Sequence, residues 1–343
     1  MKRKWLRIAL VALVVLAAVY WLGPSPAAPV YDPGLPAVPT DAAALTQYIT
    51  LRESRHHLKP DNDARIVWYD SLHRKTPYSI VYLHGFSASR KEGDPVIPDF
   101  ARRYGCNLYL SRLDGHGIDT SEPLLHMTAE GLWRDAKEAL AIGMAIGDTV
   151  IVAGTSTGGT LALMLAAQYP RQVHAVMNLS PNIAINDPMA FLANNPWGLQ
   201  VARWIKRGNY NHTSGEGDTT ISRYWNTRYR LEAVVQLQNL LESSMTAATF
   251  EKIHQPVQNL YYYKDEHHQD PTVRIAAILA MEKELGTPPG SKQAVAIPGA
   301  GAHVLGSSLT SHDIPAVEQA MNGFAEHVLR LKPLENQGAY TIK

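Results

Sequence analysis

The chain has 343 residues, 45% hydrophobic and 18% charged, which is enough apolar material for one large core and too much for disorder along most of its length. With 32 Lys and Arg against 31 Asp and Glu the formal net charge is +1, and no basic stripe interleaved with aromatics follows the extreme N-terminus, so nucleic acid is excluded as a partner. A single cysteine, Cys106, excludes an intramolecular disulfide and any Cys-x-x-Cys motif; at the head of an apolar run it is expected in the core.

Lys2, Arg3, Lys4 and Arg7 precede an uninterrupted apolar stretch from Ile8 to Leu22, which Gly23-Pro24-Ser25-Pro26 breaks. A basic flank, an apolar run and a breaker define residues 1–23 as a signal anchor or signal peptide. Residues 5–22 approach the roughly 20 needed to span a bilayer, and Tyr20-Trp21 fall where an interfacial aromatic belt belongs. An uncleaved anchor with a cytoplasmic N-terminus is the preferred reading. Small residues at Ser25-Pro26-Ala27 leave a secreted or periplasmic product of cleavage as the alternative. Both place the globular part outside the cytoplasm. Repeated prolines make residues 24–40 a linker, expected to act as a semi-rigid spacer that holds the domain clear of a membrane.

A helix is predicted to begin near Asp41. Beyond it, strand-like runs at Ala64–Tyr69, Tyr78–Leu83, Asn107–Leu110, Thr149–Ala153, Ala175–Leu179, Gln258–Tyr263 and Gln293–Ile297 alternate with helical patterns. The helices are predicted at Val96–Tyr104, Ala129–Ile146, Gly159–Tyr169, Thr272–Leu285 and Ile314–Leu331. Such alternation predicts an α/β fold with a mostly parallel, doubly wound sheet covered on both faces. Residues 182–254 break the pattern and show no evident strand. Two apolar faces at near-helical spacing, one from Leu231 to Leu241 and one from Trp197 to Ile205, predict a helical cap inserted into a core made of residues 41–181 and 255–343.

Gly154-Thr155-Ser156-Thr157-Gly158 joins the strand-like Thr149–Ala153 to the helix-like segment from Gly159, which places Ser156 on a tight strand-to-helix turn. That nucleophile-elbow arrangement predicts a serine hydrolase. A serine alcohol is a weak nucleophile at neutral pH and requires a base. Of the 14 histidines, His303 lies between the last strand-like run and the final helix, where the order nucleophile, acid, histidine puts the base. His312 and His327 fall at and inside that helix, where solvated positions are expected. Asp265 and Asp270 follow the penultimate strand. Asp270 is preferred because Asp270-Pro271-Thr272 sets the carboxylate just ahead of a helix, with Asp265 the alternative acid. Asp265-Glu266-His267-His268 lacks metal-ligand spacing and reads as a solvated loop. For the oxyanion, backbone N–H groups of Thr157 and Phe86 are expected to donate, with Gly85 allowing close backbone approach. His84 is expected to be a structural hydrogen-bonding residue.

His84-Gly85-Phe86, Leu113-Asp114-Gly115-His116-Gly117, Gly154-Thr155-Ser156-Thr157-Gly158, Asp270 and His303 together resemble the α/β-hydrolase superfamily, over roughly residues 60 to 332. Within it the pattern is similar to the monoacylglycerol lipase, lysophospholipase and carboxylesterase group, often labelled serine aminopeptidase-like. The resemblance implies an α/β-hydrolase fold, a cap between the sixth and seventh strands, no cofactor, no metal, and a structural rather than catalytic His116. Thr155 and Thr157 depart from the group's usual His and Met or Gln.

Three functions follow as expectations. The first is an extracytoplasmic carboxylic-ester hydrolase working through an acyl-Ser156 intermediate on a small-molecule acyl ester such as a monoacylglycerol or lysophospholipid. The second is an aminopeptidase or acyltransferase using the same residues; a peptidase requires a cap acid such as Glu216, Asp218, Glu232 or Glu242 to hold the substrate amine. The third is a non-catalytic, membrane-tethered binding protein.

Overall fold

The computed structural model describes residues 2–334; Met1 of the N-terminal segment and residues 335–343 of the assigned core lie outside the described residues. In chain order the elements are α1 (Lys2–Trp21), α2 (Ala42–Glu53), β1 (Arg65–Val67), β2 (Thr76–Leu83), α3 (Val96–Arg103), β3 (Asn107–Leu110), α4 (Ala129–Ile146), β4 (Gly147–Thr155), α5 (Thr157–Gln168) and β5 (Val173–Leu179). There follow α6 (Gly198–Lys206), β6 (Tyr210–His212), α7 (Thr219–Tyr224), β7 (Arg228–Arg230), α8 (Leu231–Ser244) and α9 (Ala247–Phe250). The chain then runs through β8 (Val257–Tyr261), β9 (Tyr263–Asp265), β10 (His268–Gln269), α10 (Ile275–Glu284), β11 (Lys292–Ala296) and α11 (Ile314–His327).

Seven strands form one sheet in the order β1-β3-β2-β4-β5-β8-β11. Only β1 runs antiparallel, against β3. The central strands bury both faces, which is why β2 and β4 read as continuous apolar runs rather than alternating ones. Successive side chains point to opposite faces. Val81 and Val152 therefore pack with Leu132 and Leu140 of α4 and Leu161 and Leu165 of α5, while Ile80 and Ile151 pack with Phe100 of α3 and Phe324 of α11. Cys106 is fully buried on the latter side. The helix near Asp41 starts where the Asp41 carboxylate accepts the Ala44 N–H at 2.9 Å.

Residues 182–254 hold α6 to α9, as the apolar faces predicted, and also a β6–β7 ladder that the sequence reading missed. Its strands span three residues each, too short for alternation to register. Cross-strand contacts hold them instead, with the Arg228 guanidinium 3.6 Å from the Tyr210 ring centre. This insertion follows β5, the fifth strand of the sheet, rather than the sixth. No strand precedes β1 among the described residues, because that part of the chain forms α2 and a turn.

The linker also differs from expectation. A proline-rich chain leaves its carbonyls unpaired, and here core side chains take them: Trp133 Nε1 and Lys137 Nζ donate to Asp32 O at 2.9 and 2.8 Å, and Tyr169 Oη donates to Pro33 O at 2.8 Å. Tyr31, Leu35 and Val38 pack on the core. Residues 24–40 are thus a strap along α4 and α5, not a free spacer. α1 leaves this strap with its apolar side chains exposed, and it is long and apolar enough to cross a membrane. Its end is fixed to the inserted segment, where Trp197 donates from Nε1 to Val19 O at 3.0 Å and from its backbone to Pro24 O at 2.9 Å.

Candidate active site

The loops that leave the carboxyl ends of β2, β4, β8 and β11 converge at one end of the sheet, where ligands of open α/β folds bind. β4 ends at Thr155 and α5 begins at Thr157, so Ser156 alone makes the turn, at φ 53° and ψ −117°. That conformation is strained for a residue with a Cβ. It is held by the Ser156 N–H donating to Leu179 O at 3.0 Å and by Asn182 N–H donating to Ser156 O at 3.0 Å. The flanking glycines are steric necessities. A Cβ at position 158 would lie 1.9 Å from the Leu83 carbonyl oxygen, and one at 154 would lie 2.4 Å from the Gly158 oxygen. Since these neighbours are backbone, Gly158→Ala is expected to lower stability by ~3 kcal/mol, measured by denaturant unfolding.

Asp270 is buried, with Oδ1 accepting the N–H groups of Thr272 at 2.8 Å and Val273 at 3.0 Å. Its Oδ2 accepts from His303 Nδ1 at 2.7 Å. Burial opposes the charged carboxylate, but His303 and the two backbone donors hold Asp270 below its ordinary range. Burial likewise opposes a charged His303; Asp270, with a smaller contribution from Glu92, outweighs it and raises His303 above the ordinary histidine value. With Nδ1 donating to Asp270, the Nε2 lone pair is left as the basic position. Asp265 has a different partner. It is exposed, and its Oδ1 accepts from His268 Nδ1 at 2.8 Å and from the backbone of His267 and His268.

Around Gly85 the two buried histidines have defined partners. Leu113 N–H donates to His84 Nε2 at 3.1 Å, so the neutral ring donates from Nδ1 to Gly85 O at 2.9 Å. Burial keeps His84 far below the ordinary histidine value. His116, whose pKa burial pushes down to about 4, accepts from Ser87 N–H at 2.9 Å and donates to Asp114 O at 2.8 Å. Neither histidine is placed as a base. Phe86 and Thr157 have backbone N–H groups with no protein acceptor among the described residues, the state an oxyanion site requires.

Sequence reasoning missed Glu92. It is 2% exposed, its Oε2 accepts the Gly85 N–H at 2.5 Å, and its Oε1 accepts Trp225 Nε1–H at 3.3 Å. Burial raises its pKa to about 7. A cavity of about 500 Å³ unites these groups: Ser156, Phe86, Glu92 and His303 lie in its floor and wall, and Leu192, Val201, Ile205, Leu231, Val234 and Leu237 from the inserted segment line the rest. Trp204, predicted on an apolar face, is instead 80% exposed, because its neighbours Ala202 and Ile205 are the ones turned to the cavity. Another cavity, about 650 Å³, lies beside α2 and α4 and is lined largely by charged side chains, among them the ion-paired Arg52, Asp135 and Glu138; it holds none of the elbow residues.

A nucleophile elbow at the end of a parallel sheet, facing a histidine bonded to a buried aspartate, defines the hydrolase class of α/β folds. The sequence profile of the Alpha/beta hydrolase family matches residues 80–320, and the chain belongs to that family. A lipolytic enzyme of metagenomic origin superimposes with a TM-score of 0.62 at 18% identity, covering 79% of this chain and 100% of its own. The monoacylglycerol lipase of Paleococcus ferrophilus gives 0.56 at 16% identity, covering 77% and 98%. A soluble variant of monoglyceride lipase from Saccharomyces cerevisiae gives 0.57 at 13% identity, covering 80% and 92%. No curated protein matches in sequence.

Proposed function

We propose that the chain is a membrane-anchored serine esterase that cleaves carboxylic esters of lipid-derived acyl chains. The observation that carries this reading is a strained Ser156 facing the same apolar cavity as His303, whose Nδ1 is held by Asp270. Ser156 Oγ attacks the ester carbonyl while His303 Nε2 takes the hydroxyl proton. The N–H groups of Phe86 and Thr157 stabilise the oxyanion. His303 then returns the proton to the departing alkoxide, leaving an acyl-Ser156 ester, and a water deprotonated by His303 releases the acid.

The substrate class is supported by the cavity's apolar walls and by the names of the similar lipases. The location of the cap supports it further. Trp197 ties the cap to the end of α1, and Met189, Phe191, Trp204 and Ile205 are exposed on the same segment. With basic residues in the first two turns of α1, the reading is an anchor spanning residues 5–22, a cytoplasmic N-terminus and the catalytic part outside, its cap at the bilayer surface. Residues 182–254 act as that cap.

The four cap acids considered for the peptidase reading give it no support, although Asp187 of the same segment lines the cavity, its Oδ1 accepting the Met189 N–H at 2.8 Å. Glu216 pairs with His212, Asp218 caps α7, Glu232 binds Arg203 and Arg230, and Glu242 binds Asn194; none of them lines the cavity. The test is hydrolysis of p-nitrophenyl esters from acetate to palmitate by the full chain in detergent, beside Ser156→Ala. Serine-dependent turnover rising from acetate to medium or long chains is expected. Turnover of none, by a folded chain, overturns the reading.

A further inference from the structure

A carboxyl group buried without a cation is costly to keep, and an uncharged side chain of similar size would fill the same space more favourably. Glu92 is such a group, on a short turn (Arg90–Gly93) at the wall of the cavity. Its two bonds go to two different parts of the molecule. Oε2 holds the N–H of Gly85, and Oε1 holds the indole of Trp225, which belongs to the inserted segment. Beside Trp225, Asn226 donates its backbone N–H to Ser87 O at 2.6 Å, and Lys59 Nζ donates to Asn226 Oδ1 at 2.9 Å.

The bonds at Gly85 bear on Phe86. The Gly85 carbonyl and the Phe86 N–H belong to one peptide plane and point in opposite directions. His84 Nδ1 fixes that carbonyl from one side, and Glu92 fixes the Gly85 N–H on the other. The space is fitted to glycine, since a Cβ at 85 would lie 2.7 Å from Glu92 Oε2 and 3.0 Å from Ser156 Cβ. The carboxylate, the loop and the nucleophile are therefore in serial contact. We propose that Glu92 is a positioning residue that holds the Phe86 N–H at the oxyanion site and couples that loop to the cap through Trp225. The proposal rests on the esterase reading above. It also makes the 225–226 corner of the cap a fixed point.

Glu92 has a second effect on the same chemistry. Glu92 and His303 line the same cavity, and the Glu92 carboxylate, where ionised, favours the imidazolium form of His303. His303 and the buried Tyr82 phenol are the titratable groups coupled to it; Gly85 and Trp225 contribute donors. Loss of the charge therefore lowers the pH at which His303 becomes a free base.

The test uses full-length Glu92→Ala, Glu92→Gln and Trp225→Phe on p-nitrophenyl butyrate, with thermal unfolding in parallel. Glu92→Ala is expected to lower kcat ~100-fold, the effect of losing one oxyanion donor, with KM within about twofold. Glu92→Gln, which keeps an acceptor for Gly85, is expected to recover most of kcat and to move the acid limb of the pH profile to lower pH. Trp225→Phe is expected to fall between them. Folded variants with kcat unchanged, or with KM raised at constant kcat, overturn the proposal. The rate at which a fluorophosphonate labels Ser156 gives the same comparison without an ester: slower labelling in Glu92→Ala supports the proposal even where no ester is turned over, and equal labelling overturns it. Should Glu92→Ala not fold, Glu92→Gln and Trp225→Phe decide.

Discussion

Ser156→Ala is expected to lower kcat for ester hydrolysis by about 10⁶-fold, to the background left when a triad enzyme loses its nucleophile. The chain should bind substrate as before, because the apolar walls of the cavity come from α6 and α8 and are untouched. Stability provides the sharper companion measurement. Ser156 holds φ at 53° and ψ at −117°, a region that favours glycine. Ser156→Gly should therefore abolish turnover as completely while raising stability by ~1 kcal/mol, the strain that the elbow stores. Opposite signs of the two effects in one variant would show that the strain is kept for the reaction. Retained hydrolysis in either variant would remove Ser156 from the mechanism, and loss of folding in Ser156→Gly would contradict the assignment of strain.

The parts of this fold that were legible in sequence are those where burial dictates residue type over several positions. The inner parts of β2 (Ile80–Leu83) and β4 (Val150–Ala153) show as apolar runs, because parallel strands covered on both faces favour apolar residues at every position. The elbow was legible for a related reason: steric contact with Leu83 O and Gly158 O leaves only glycine at 158 and 154. What escaped the reading has its cause in contacts distant along the chain. β6 and β7 are short and carry Tyr210, Arg228 and Arg230, which look like surface residues until Arg228 lies over Tyr210 and Arg230 reaches Glu122. The linker prolines suggested a spacer, and donors on α4 and α8 and from Tyr169 at the end of α5 make it a strap. Glu92 sits in the charged run Arg90-Lys91-Glu92, whose local pattern is that of a solvated turn. Its burial depends on Trp225, supplied by the cap 133 positions later.

Asp270→Asn is expected to lower kcat by about 10⁴-fold and Asp265→Asn to leave it within about twofold, a contrast that follows from where the two carboxylates end. Asp270 is sealed from solvent and accepts from His303 Nδ1, so it selects the tautomer whose Nε2 can take a proton. Asparagine in its place can offer an N–H to Nδ1 instead, which favours the wrong tautomer and removes the charge that stabilises the imidazolium. Asp265 is solvent-exposed, and its partner is His268 rather than His303. The pH profile separates the two further. With Asp270 present, His303 is raised above the ordinary histidine value, so the half-rise of the acid limb lies above about pH 6.5. Removing the carboxylate leaves burial as the dominant influence, and burial lowers a histidine, so the residual activity of Asp270→Asn should rise at lower pH than the parent's. In stability the sign is opposite to that of a histidine. Asp270 titrates below its ordinary value in the folded chain, so its contribution stands above about pH 4 and is lost as pH falls through the folded value. Acid unfolding of Asp270→Asn should thus be less steep than the parent's. A larger kinetic loss in Asp265→Asn, or an acid limb in Asp270→Asn that does not move, would transfer the role of the acid away from Asp270.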